Sequence, residues 1–104
     1  MDFTLSEEQL SIQELARNFA KNEIFPVAAE CDEQEKLPFD VLGKAADLGF
    51  TTASIPEKYG GMGFGCFDSC MIHEELCWGD AGIATSIGVN KLAAKCIELA
   101  GSEE

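Results

Sequence analysis

Four side chains between residues 66 and 77 have the chemistry of metal ligands: Cys66, Cys70, His73 and Cys77. Thiolates and imidazole are the ligands zinc selects, and on one helix these four would lie within roughly 60° of one another. Distance removes the full set. At ~1.5 Å rise per residue, Cys66 and Cys77 stand ~16 Å apart along a helix axis, too far to share one ion. Cys70 and His73 could join ligands from elsewhere, but small thiols beside a polar histidine are the expectation, without a metal. Glu74 and Glu75 adjoin Met71 and Trp78 on the same stretch. A buried carboxyl with a raised pKa could serve as acid or base. An interhelical salt bridge or cap is the preferred reading of that pair.

The glycines of IPEKYGGMGFG, residues 55–65, raise the question of a phosphate cradle. A dinucleotide fingerprint needs G-x-G-x-x-G between a strand and a helix. Here Gly61 and Gly63 are followed by Cys66 where the third glycine belongs, and no buried strand precedes them. The lysine and hydroxyl of a P-loop are missing too. The run is read as a structural turn that needs positive φ and close backbone approach.

A third candidate is a ridge of small residues. Ala81, Ala84, Thr85, Gly88 and Leu92 fall within ~100° of one another on a helix, leaving a groove ~16 Å long. A closely packed neighbouring helix or a slender apolar ligand could use it, and geometry alone favours the helix.

These residues must be positioned by helices. Ser6-Glu7-Glu8-Gln9 is a capping box, and Ile12, Leu15, Ala16, Phe19 and Ala20 then recur on one face. The first helix is expected to run to about Ile24 and break at Pro26. A short helical piece over Val27–Gln34 follows, then a helix over about residues 40–48 closed by Gly49 as a left-handed cap. Phe50–Pro56 reads as extended. Phe67–Trp78 is the next helix, and Asp80 caps another from Ala81 to about Leu92 or Leu99. With no repeat and no alternating strand, the fold class is all-α, an up-and-down or orthogonal bundle of about five to six helices. Ser102-Glu103-Glu104 resembles the opening of a further helix, which suggests the front portion of a longer protein.

Charge narrows the partners. The 104 residues carry 19 Asp and Glu against 7 Lys and Arg, a net −12. That balance disfavours nucleic acid and anionic membranes, and no apolar run approaches the ~20 residues of a membrane span. Five cysteines without a paired framework fit reduced thiols, and no basic, apolar leader follows Met1; a cytoplasmic location is expected.

Several segments recur in an order that carries more than any one of them. Phe3-Thr4-Leu5-Ser6-Glu7-Glu8-Gln9, Phe19-Ala20 with Pro26, Leu48-Gly49, Ile55–Gly63, Glu74-Glu75-Leu76 and Gly101–Glu104 together resemble the N-terminal α-helical domain of the acyl-CoA dehydrogenase family. The resemblance covers essentially the whole chain. It implies a flavoenzyme that oxidises an acyl-CoA to its 2,3-enoyl form. A glutamate base removes the α-proton, a hydride passes to FAD, and electrons leave through an electron-transfer flavoprotein. It also implies that the base and most FAD and CoA contacts lie in a middle β-domain and a C-terminal helical domain, absent here. No catalytic residue is assigned within residues 1–104, and Glu74 and Glu75 are not promoted to the base. Relatives are commonly tetramers, so a homo-oligomer is expected.

The resemblance further implies that this domain supplies a wall of the acyl-chain cavity from the helix containing the small residues. By position Ala84, Thr85, Gly88, Val89 and Leu92 would line the chain. Some medium-chain relatives carry a bulky acid at the position of Gly88, which implies a deeper cavity here, and Cys96 stands where proline is frequent. The alternative is a free-standing acidic helical module that binds a protein partner without catalysis. It would expose little apolar surface.

Overall fold

The computed structural model describes residues 3–103, leaving out Met1, Asp2 and Glu104; Ser102 and Glu103, where a further helix was expected to open, are not helical. Six α-helices build the fold, and no strand occurs among the described residues. They are α1 (Glu7–Phe19), α2 (Phe25–Gln34), α3 (Phe39–Asp47), α4 (Cys66–Gly79), α5 (Ala81–Gly88) and α6 (Asn90–Ala100).

The capping box forms as read: Gln9 N donates to Ser6 Oγ at 3.1 Å, and Ser6 N donates to Gln9 Oε1 at 3.0 Å. Pro26 does not break the chain away from α1. Ala20–Ile24 instead forms one widened π turn, and Pro26 falls in the first turn of α2. Proline lacks an N–H and is tolerated where a helix starts; the π turn supplies that start without a loop. Gly49 closes α3 at φ +83°, as expected. The extended reading of Phe50–Pro56 is corrected: Phe50–Thr52 is a 3-10 turn, and Phe50 is buried in the core. Its ring meets Phe19 edge-on at 5.4 Å, so tertiary packing overrides the local β preference.

The glycine run is a turn. Gly60 and Gly63 adopt φ +84° and +67°. Gly63 N and Phe64 N donate to the carbonyls of Ile55 and Ala53, both at 2.9 Å, so the loop folds back on the segment before it. A Cβ on Gly61 would stand 2.0 Å from the Ile55 carbonyl oxygen; only glycine fits.

One core joins these pieces. Ala16, Phe19 and Ile24 meet Val41 and Ala45 of α3, Ile72 and Leu76 of α4, and Ile83, Ala84 and Ile87 of α5. Polar contacts tie α1 to α4, beginning with Gln9 Nε2 to Asp68 Oδ1 at 2.8 Å. Asp80 caps α5 by accepting from Ile83 N at 2.8 Å. The expected single helix from Ala81 onward is divided at Val89, and α6 buries none of its residues. Its Leu92, Ile97 and Leu99 are 71%, 68% and 75% exposed.

Candidate functional site

An open groove of about 960 Å³ runs along one side of the bundle. Its floor is the N-terminal half of α4, its far side the break from α5 into α6, and its near side the glycine-turn loop. Cys66, Cys70 and His73 enter from α4; Gly88, Lys91 and Leu92 enter from α5 and α6. Phe64, delivered by the folded-back loop, adds an apolar side.

Gly88 and His73 are in intimate contact. A Cβ on Gly88 would lie 2.0 Å from His73 Nε2 and 2.6 Å from Cε1, so the imidazole fills the volume a side chain would need. Lys91 Nζ stands 3.4 Å from His73 Nδ1. Burial, and then the Lys91 charge, push the His73 pKa below its ordinary 6.5. Burial likewise lowers Lys91, partly offset by the Cys70 and Cys66 thiols. The Ser69 hydroxyl, in the same wall and out of solvent, has no hydrogen-bond partner among the described residues.

The small-residue ridge is not one groove. Ala84 is completely buried in the core, while Gly88 and Leu92 line the cavity. Thr85 and Val89 are exposed outside the lining, with the Thr85 hydroxyl donating back to the Ala81 carbonyl at 2.7 Å. Ala84 packs against neighbouring elements, Gly88 packs against the His73 ring at the edge of the groove, and Leu92 is exposed to it.

Cys66, Cys70 and His73 share the groove as free thiols and an imidazole, without Cys77 among its lining. Glu75 takes the salt-bridge role. It is 4% exposed, receives Gln13 Nε2 at 3.0 Å and pairs with Arg17 of α1, while Glu74 is exposed. The Arg17 guanidinium also lies 4.7 Å over the Trp78 ring, which stacks on Phe25. Lys91 and Phe64 are among the lining residues that spacing does not reveal. The available signal is a lysine inside an apolar stretch of a strongly acidic chain.

A family model described as "Acyl-CoA dehydrogenase, N-terminal domain" matches residues 6–104. The chain belongs to the acyl-CoA dehydrogenase family. Probable medium-chain specific acyl-CoA dehydrogenase 2, mitochondrial, of Caenorhabditis briggsae is 36% identical over 104 residues, covering 100% of this chain and 26% of that protein. Probable acyl-CoA dehydrogenase fadE25 of Mycobacterium bovis is 38% identical over 102 residues, 98% of this chain and 26% of that protein. Butyryl-CoA dehydrogenase from Megasphaera elsdenii superposes with a TM-score of 0.87 at 31% identity, over 99% of this chain and 28% of that one. A chain from the structure of the electron transferring flavoprotein of Acidaminococcus fermentans superposes at 0.91 and 32% identity, over 99% and 27% of the two chains. The chain thus spans about a quarter of the length of the curated acyl-CoA dehydrogenases it matches. Their all-helical N-terminal architecture is the fold described above. Among the described residues, no helix is long and apolar enough to cross a membrane.

Proposed function

We propose that this chain is the N-terminal helical domain of an FAD-dependent acyl-CoA dehydrogenase, in which it forms one wall of the acyl-chain pocket. The observation that carries the reading is the groove at Gly88 and Leu92, at the end of the very helix that the family resemblance assigns to the acyl chain. Gly88, Leu92 and Phe64 give the hydrocarbon an apolar surface, Ala84 holds the helix from behind, and Thr85 and Val89, exposed outside the groove, are assigned to the acyl chain by the resemblance alone. Burial of each methylene against such a wall contributes roughly 0.8 kcal/mol.

The groove offers two thiols, an imidazole and amines. FAD is assigned mainly to the middle and C-terminal domains, where, when bound, it accepts the hydride of the reaction. This chain's contribution is to orient the acyl group and exclude water from it. An electron-transfer flavoprotein as electron acceptor, and assembly into a homo-oligomer, follow from the same reading. Five free cysteines support a reducing compartment such as the cytoplasm.

The exposed apolar side chains weigh against a free-standing interaction module. α6 buries none of its residues and leaves Leu92, Ile97 and Leu99 71%, 68% and 75% exposed, a concentration of apolar side chains on one helix that a covering domain would bury. The test is anaerobic addition of straight-chain acyl-CoAs to the full-length protein. The reading requires the bound flavin to lose its oxidised absorbance and the product to be the 2,3-enoyl-CoA. A flavin that stays oxidised with every chain length overturns it.

A further inference from the structure

The lysine amines of this chain stand in unequal surroundings. Lys44, Lys58 and Lys95 are exposed, and each meets a carboxylate, at 2.6, 3.2 and 3.1 Å. Glu23 raises the Lys44 pKa, and Tyr59 with Glu103 raises that of Lys58, so both amines are held in the protonated, non-nucleophilic form. Lys91 is half-buried in the groove. Burial lowers its pKa, which favours the neutral amine that nucleophilic attack requires.

Thiols share that space. Cys66, Cys70 and His73 recur at i, i+4 and i+7 on α4, so one face of the helix presents them on successive turns of the groove wall. Lys91 reaches the same face from α6. Its Nζ lies 3.4 Å from His73 Nδ1, and its charge interacts first with Cys70 and then with Cys66. Both thiols are free and exposed.

A thiol beside an amine can take an acyl group from a thioester and pass it on. Sulfur exchanges with thioesters directly, and an amine held next to the resulting S-acyl group attacks it within one molecule, without a second encounter in dilute solution. Phe64 and Leu92 in the same lining give the acyl chain an apolar side.

We propose that Cys70 and Lys91 form an acyl-transfer pair, a modification site at which an acyl thioester leaves its acyl group on the Lys91 amine. The Cys70 thiolate attacks the thioester carbonyl; a new C–S bond replaces the old one, and the departing thiolate takes up a proton. Lys91 Nζ then attacks the S-acyl carbon, the C–S bond breaks, and the proton lost by nitrogen returns to the Cys70 sulfur. Nothing is oxidised or reduced. The product is an amide, and the Lys91 charge is gone. The pair uses no flavin and does not rest on the dehydrogenase reading.

The test uses the full-length protein and acetyl-CoA, whose acyl group has no β-carbon from which a hydride could leave. Acetylation of each lysine is followed over time by peptide mass spectrometry at mildly alkaline pH. Lys91 should react at least about tenfold faster than Lys44, Lys58 or Lys95, the advantage of an intramolecular step. Cys70→Ser should bring Lys91 down to their rate, and Cys66→Ser should leave it well ahead. In Lys91→Arg the acetyl group should stop on Cys70, from which hydroxylamine releases it. Lys91 reacting no faster than the exposed lysines, or as fast in Cys70→Ser as in the native protein, would overturn the pair. So would a Lys91→Arg protein without S-acetyl Cys70, and an equal loss from Cys66→Ser would overturn the choice of Cys70.

Discussion

A methyl group on Gly88 would come within 2.0 Å of Nε2 of His73. The two residues lie on adjacent helices of the bundle, α5 and α4, and the absent side chain of one makes room for the ring of the other. Glycine at this position therefore serves packing as well as any ligand. The deeper cavity implied by comparison with medium-chain relatives is partly occupied by this imidazole.

Gly88→Ala should destabilise the chain by about 1–3 kcal/mol, the usual cost of overpacking. In a domain of this size that lowers Tm by roughly 4–8 °C per kcal/mol. His73→Ala should be mild alone and should rescue Gly88→Ala, a coupling that a double-mutant cycle in urea measures. Additive effects would mean the ring moves aside freely.

Gly43 and Gly61 should respond in opposite directions to alanine. Gly43 is inside α3, where an added Cβ would meet nothing within 4 Å, so Gly43→Ala should stabilise by about 0.5–1 kcal/mol through helix propensity. At Gly61 the obstacle is the Ile55 backbone, which cannot swing away, so Gly61→Ala should unfold the loop and lower the urea midpoint. Both are read from the same pair of denaturation curves.

Arg17→Met should destabilise more than Lys44→Met in thermal unfolding. Arg17 answers a Glu75 side chain that is 6% exposed, whereas the Glu23 partner of Lys44 is 34% exposed. Removing Arg17 strands a buried carboxylate and removes the contact over Trp78; removing Lys44 leaves an acid that water can solvate.

Stability should fall as pH drops through the His73 window. Its folded pKa lies below 6.5, held down first by burial and then by Lys91, so the unfolded chain binds the extra proton first. The stabilisation is complete above 6.5 and is lost between 6.5 and the lower folded value. Glu103, held below its ordinary 4.5 by Tyr59 and Lys58, acts only at more acid pH. Urea midpoints measured between pH 7.5 and 5.5 should show this slope, and His73→Gln should flatten it.

Local signals in the sequence suffice wherever a few adjacent residues decide the geometry. The Ser6 box, the Gly49 and Asp80 caps and the glycine turn all have that character, and each forms as read. Sequence reasoning fails where distant packing decides. Pro26 is absorbed by a π turn whose inner side carries Ile24 into the core, and Phe50 is drawn from an extended-looking segment onto Phe19. Glu75 is legible as a partner but its mate is not, because Arg17 lies on another helix. The same holds for the candidate site: spacing names Gly88 and Leu92, while their relation to His73 and Lys91 depends on how α4, α5 and α6 meet.

The claim that this chain walls an acyl pocket is tested most directly by the chain-length profile of the full-length protein. kcat/KM is measured from butyryl-CoA to palmitoyl-CoA for the native sequence, for His73→Ala, and for Gly88→Glu made in the His73→Ala background so that the new side chain has room. The glutamate should cut activity on palmitoyl-CoA far more than on butyryl-CoA, relative to His73→Ala. A profile of the same shape in both variants would contradict it.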